Sequence, residues 1–240
     1  MSLTPGNIYE LLLDHFGNQD WWPVDKDYHK GNDSDPRFEI IVGAILTQNT
    51  AWGNVEKALE NLKANNSLTV GKVVETDLEN LKTMIQPSGF FNQKAKRLKI
   101  LTSYLHKNYE DNLDKFFNRD LQDIRSELLS LNGIGPETAD SILLYAGNHP
   151  IFVVDAYTKR ICKRLPVEIN GESYDEIQQY FEDELHECFP RRDTAQLYKE
   201  LHALLVELAK NYCKKKPECN RCPLKNQCEF NLIKTKLAVK

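Results

Sequence analysis

Four of the six cysteines in this 240-residue chain stand close together near its C-terminus, as Cys213-x5-Cys219-x2-Cys222-x5-Cys228. Four thiolates over 16 residues can enclose one metal centre. A zinc site usually shows two separated C-x2-C pairs, and here only the central pair is that close. The proline directly after Cys222 is a feature of iron–sulfur runs, so spacing alone leaves zinc and iron–sulfur both open. A reducing compartment disfavours disulfides. Cys162 and Cys188 fall outside the motif and are expected to be buried apolar fillers.

A second constellation lies upstream, in the stretch from Leu128 to Arg164. An amphipathic segment stops at Leu131-Asn132, turns through Gly133-Ile134-Gly135, and restarts as a helix with Pro136 in its first turn, where a missing N–H costs nothing. Glycines flanking Ile134 let the turn backbone approach a ligand, and the free amides opening the second helix suit a phosphate. The same spacing also describes an ordinary helical hairpin. Beyond a break at Asn148-His149-Pro150, an extended apolar run, Ile151 to Val154, delivers Asp155 to the head of another helical pattern, Ala156 to Leu165. Asp155 there is either a plain N-cap or a carboxylate held ready for catalysis.

The rest of the chain must position these groups. Helical periodicity predicts helices over residues 6–16, 38–46, 55–62, 70–76, 77–85 and 95–106, with no strand pattern in competition, so the class is all-α. The loop between the first two carries Trp21-Trp22-Pro23, which serves as a core plug or as a stacking platform for a base. Thr47-Gln48-Asn49-Thr50 follows the second helix and leads into Trp52. The turn Pro87-Ser88-Gly89-Phe90-Phe91-Asn92 brings two adjacent aromatics. No apolar run is long enough to span a membrane, and the N-terminus lacks the basic and apolar regions of a signal peptide, so the cytoplasm is expected, at the nucleoid if the cell is prokaryotic.

The net charge is −4, unhelpful for phosphate binding as a total, but cations cluster at Lys94, Lys96, Arg97, Lys99; at Lys159, Arg160, Lys163, Arg164; and at Lys214, Lys215, Lys216. Each run also reads as a solvated helix face.

Taken together and in order, these motifs resemble the helix–hairpin–helix DNA glycosylases, the superfamily of endonuclease III. The family's G-x-G-x-K-T-A hairpin followed by V-D is matched by Gly133 to Ala139 and by Val154-Asp155. Its Q-x-T loop resembles Gln48-Asn49-Thr50, and its G-L-Y-N-x-K-A turn resembles Gly89 to Ala95. The resemblance implies that Asp155 stabilises the sugar cation formed as a base leaves, that Gln48 and Asn49 bind DNA on a loop carrying a residue that fills the gap left by a flipped nucleotide, and that Phe90 is a wedge. It also implies a [4Fe–4S] cluster on Cys213, Cys219, Cys222 and Cys228, which shapes a basic loop of Lys214, Lys215, Lys216 and Arg221 against the DNA backbone.

Two departures narrow the expected reaction. At the position of the family's Schiff-base lysine stands Glu137, which cannot form an imine, so strand cleavage should be lost. Ala44 stands where adenine-removing relatives carry an acid. A site without a dedicated acid suits a base that leaves easily, such as an N-alkylated purine carrying positive charge, and Trp21, Trp22 and Trp52 would attract it. These features resemble the 3-methyladenine DNA glycosylase III branch. The expectation is a monofunctional glycosylase of base excision repair, a monomer acting on damaged double-stranded DNA. It has a helical barrel domain over 38–149 and a second helical domain built from 1–37 and 150–240, with the cluster loop at 213–228 and Asp155 in the cleft. The alternatives are a bifunctional glycosylase/lyase for oxidised pyrimidines, using another amine such as Lys159, and a DNA-binding protein without catalysis.

Overall fold

A computed structural model describes residues 3–32 and 34–232. Among them no strand occurs, and thirteen α-helices carry the chain: α1 Pro5–Phe16, α2 Lys26–Asn32, α3 Pro36–Leu46, α4 Trp52–Ala64, α5 Val70–Glu75, α6 Leu78–Ile85, α7 Phe91–Tyr109, α8 Leu113–Phe117, α9 Leu121–Ser130, α10 Pro136–Ser141, α11 Ala156–Cys162, α12 Tyr174–Cys188 and α13 Thr194–Asn211. A π-helical turn, Ile142–Ala146, extends α10. Most helices begin at a side-chain cap: Thr4, Asp35, Thr69, Asp77, Asn112, Asp120, Asp155, Ser173 and Asp193 each accept a hydrogen bond from an opening amide.

Two compact units result, one spanning Trp22–His149 and the other combining Met1–Trp21 with Pro150–Lys240. The continuous unit therefore starts earlier than the expected residue 38. The reason is a buried polar knot on α3: Glu39 accepts from the Asp25 amide (3.1 Å), meets His29 Nε2 at 2.8 Å and pairs with Lys63 at 2.6 Å. Leaving any of these groups unpaired in the core would be costly, so the knot fastens the segment around α2 to α3 and α4. Helix α2 itself was hidden in what reads as a polar loop. Every residue of α3 from Phe38 to Leu46 is buried, as the core helix of this unit, and α5 and α6 pack on α7.

In the discontinuous unit, α13 is the buried helix, packed by α1 and α11, while α12 packs on α1. Cys162 is buried as expected, and burial pushes its thiol up to about 12. Cys188 is not a buried filler: it is exposed at the end of α12, against Gly6 of α1. Residues 1–2 and 233–240 of the domain expected from the sequence lie outside the described residues.

Candidate active site

The hairpin between α9 and α10 is built as the glycines require. Gly133 has φ +88, a left-handed conformation that is free of cost only without a Cβ. Ile134 is buried and pegs the turn, whereas Gly135 caps α10 at φ −97 with open space where a Cβ would stand. Arg125 of α9 grips the fully buried Asp140 of α10 through two hydrogen bonds, Nε to Oδ1 at 2.7 Å and Nη2 to Oδ2 at 3.1 Å. The two helices of the hairpin are thus locked by a fork-shaped ion pair. Glu137 lies exposed in the first turn of α10.

The Gln48 loop and helix α7 of the same unit meet this hairpin. Gln48 Nε2 donates to Thr138 Oγ1 (2.9 Å) and to the Gly133 carbonyl (3.3 Å), and Gln48 Oε1 accepts from Arg97 of α7. The neighbouring Asn49 is exposed at φ +54, a conformation asparagine tolerates better than most residues. Phe90 caps α7 at φ +46 and is 65% exposed. A bulky residue held left-handed and wet costs free energy twice over, the pattern expected of a side chain kept for a partner. Lys94 does not belong to a solvated basic face. It is fully buried, its ammonium donates to the carbonyls of Leu46 (2.8 Å) and Ser88 (2.7 Å), and burial, with the neighbouring Arg97 charge second, brings its pKa down to about 8.

The tryptophans are divided. Trp22 meets Trp52 edge to face (centroids 5.4 Å, 81°) and Tyr145 likewise (5.2 Å, 64°), with Gly43 of α3 directly beneath its indole. Trp52 Nε1 donates to Glu56 (2.9 Å). Tyr145, on the π-helical turn, completes this aromatic group; nothing in its own sequence surroundings marks it, since it reads as one more apolar helical position. Trp21 belongs to the other unit, where its ring lies 6.1 Å from that of His202.

In that unit the run Ile151 to Val154 is buried throughout and hands the chain to Asp155. Asp155 Oδ1 accepts from the Thr158 amide (2.7 Å) and hydroxyl (2.8 Å), so it does cap α11. Its other oxygen takes no part in the cap and lies 3.9 Å from His202 Nε2 of α13. Burial lowers the His202 pKa, against the opposing pull of the Asp155 charge, which favours a neutral imidazole beside the carboxylate. A lone histidine on an apolar helix face offers no signal of this in the sequence.

Cys213, Cys219, Cys222 and Cys228 line one recess together with Arg164 and Tyr212. Burial first, then the neighbouring thiols, pushes Cys222 up to about 11, and burial raises Cys228 as well. Such thiols ionise only when a cationic centre draws them to it. Among the described residues no three His, Cys, Asp or Glu side chains are placed to hold a single ion. Arg164 donates to Cys213 Sγ (3.2 Å) and to the Lys214 carbonyl (2.7 Å), and Arg160 Nε donates to the Cys213 carbonyl (2.8 Å). Lys215 and Lys216 are exposed; Lys214 pairs with Glu218 at 2.6 Å, which Arg221 also approaches at 3.3 Å.

Comparison with known proteins places this arrangement. Residues 42–187 match the model of the HhH-GPD superfamily of base excision DNA repair proteins. A Methanocaldococcus jannaschii protein classed among DNA repair glycosylases is 46% identical over 92% of this chain and 94% of its own. Endonuclease III of Thermotoga maritima is 30% identical over 82% of this chain and 84% of its own. The crystal structure of the H. pylori 3-methyladenine DNA glycosylase bound to 1,N6-ethenoadenine superposes with a TM-score of 0.71 at 32% identity, covering 87% of this chain and 98% of that one. A trapped endonuclease III–DNA covalent intermediate shares the fold at 21% identity, with a TM-score of 0.75 over 95% of both chains.

Proposed function

Since the chain belongs to the HhH-GPD superfamily of base excision DNA repair proteins, we propose that it is a monofunctional DNA glycosylase that releases N-alkylated purines, of the 3-methyladenine kind, without cutting the strand. The observation that carries this reading is Glu137, an exposed carboxylate in the first turn of α10 at the position where lyase members of the family hold their imine-forming lysine. The substitute amine named from the sequence, Lys159, has its side-chain nitrogen 5.8 Å from the ring centroid of Tyr174.

The aromatic group of Trp22, Trp52 and Tyr145 supports a cationic base, because ring faces attract positive charge and the edge-to-face packing fixes their orientation. A base already carrying positive charge leaves without being protonated, which fits an apolar Ala44, buried in α3, in place of an acid. Asp155 would then supply the one electrostatic contribution the reaction needs, stabilising the sugar cation as the base departs. In this reading the four cysteines hold a [4Fe–4S] cluster. Four cysteines lining one recess supply the all-thiolate donor set that such a cluster takes. The cluster would order the basic loop of Lys214, Lys215 and Lys216 rather than take part in base release.

The pocket is tested with Trp22→Ala and Trp52→Ala. Each should lower release of 3-methyladenine from duplex DNA about tenfold or more while leaving affinity for an abasic-analogue duplex within about threefold. Equal losses in both measurements would make these residues structural and remove the argument for a cationic base.

A further inference from the structure

Helix α7 begins at the Phe90 turn, and its first two turns reach both of the other loops assigned to DNA. We propose that Arg97 and Gln48 are positioning residues that couple the Phe90 turn to the helix–hairpin–helix, so that wedge insertion and phosphate grip act as one event. The geometry is specific. Gln48 uses its acceptor for Arg97 and its amide N–H groups for Thr138 and the Gly133 carbonyl, so both ends of the side-chain amide are engaged within the unit. A Cβ on Gly133 would stand 2.6 Å from Arg97 Cγ and 2.7 Å from Cδ, so the glycine is needed for the arginine stem to cross the hairpin as well as for its φ of +88.

One turn earlier on α7, Lys94 ties the carbonyl of Leu46, two residues before Gln48, to that of Ser88, two residues before Phe90. The three loops therefore share a single frame, and displacing one moves the hydrogen bonds of the others. Asn49, exposed at the apex, is what the Gln48 loop presents outward.

The coupling rests on the glycosylase reading and on the family resemblance by which these loops contact DNA, and a double-mutant cycle separates it from both. Affinities are measured for a duplex carrying a tetrahydrofuran abasic analogue, using Phe90→Ala, Arg97→Met and the double variant, with thermal melting to establish folding. Coupling predicts that Phe90→Ala lowers affinity about tenfold in the wild-type background and less than about threefold in the Arg97→Met background. Arg97→Lys, which keeps the charge but not the planar fork, should behave as Arg97→Met does, and Gln48→Leu should do the same with the charge intact. If Arg97→Met does not fold, the cycle is read from Arg97→Lys and Gln48→Leu.

Multiplicative effects in the cycle would overturn the coupling and leave the glycosylase reading standing. If the dependence of log affinity on log salt also falls by about one unit per Arg97 removed, Arg97 is a phosphate contact instead. A Phe90→Ala variant that binds as wild type would overturn the coupling and the DNA-contacting assignment of this turn together.

Discussion

At Asp155 the capping and catalytic roles do not compete, because the cap uses Oδ1 alone. Asp155→Asn keeps an oxygen able to cap, so the variant should fold and bind damaged duplex with little change while base release falls by about two to three orders of magnitude. Single-turnover release of 3-methyladenine beside a binding measurement checks this; undiminished release would reduce Asp155 to a cap. The two hairpin glycines separate in the same way. Gly135→Val places a Cβ in open space at an ordinary φ, so the free protein should be unaffected and duplex binding should weaken for damaged and undamaged DNA alike. Gly133→Val should instead lower the melting temperature, since it strains the backbone and strikes Arg97. Equal melting temperatures for the two variants would contradict this division.

At the scale of elements, α9 and α10 are held by Arg125 and a fully buried Asp140. Arg125→Ala removes two hydrogen bonds and the opposite charge from that buried carboxylate, and an unfolding cost of about 3–5 kcal/mol is expected from urea titration. Helix α13 carries the pH-sensitive group. Burial holds the His202 pKa below its ordinary value, so the unfolded chain takes up the proton first as pH falls. Its contribution to stability is therefore whole above about pH 6.5, the ordinary histidine value, and is lost as the pH falls toward the lowered one. Melting temperatures between pH 7.5 and 5 should drop less steeply for His202→Gln than for wild type; parallel curves would show that His202 is not the group responsible. The elements themselves were legible where a local pattern declares them: the cap at Asp155, the glycine turn, and the extended apolar run before Asp155. Helix α2 was not, because its buried residue, His29, is explained only by a partner on another helix, Glu39 of α3.

For the whole molecule, the order of motifs along the chain was enough to name the family, whereas the way they interlock was not visible. Gln48 and Thr138 are ninety positions apart, and nothing around Lys94 announces an ammonium buried between two carbonyls. Tyr145 beside Trp22 and His202 beside Asp155 were missed for the same reason: their partners are distant in sequence, and each reads locally as core. The cysteine loop stands between these cases, with a spacing legible as a metal motif and an arrangement around a recess legible only in three dimensions. Anaerobic purification should give brown protein with about four iron and four sulfide per chain, and stoichiometric zinc without sulfide would replace the cluster with a zinc site.

The central claim, base release without strand cleavage, is met most directly by incubating the purified protein with duplexes that each carry one defined lesion, and scoring freed base, nicks and borohydride-trapped adduct separately. The account predicts freed 3-methyladenine, an intact strand that breaks only after alkali, and no trapped adduct. Efficient trapping, or release confined to oxidised pyrimidines, would contradict it.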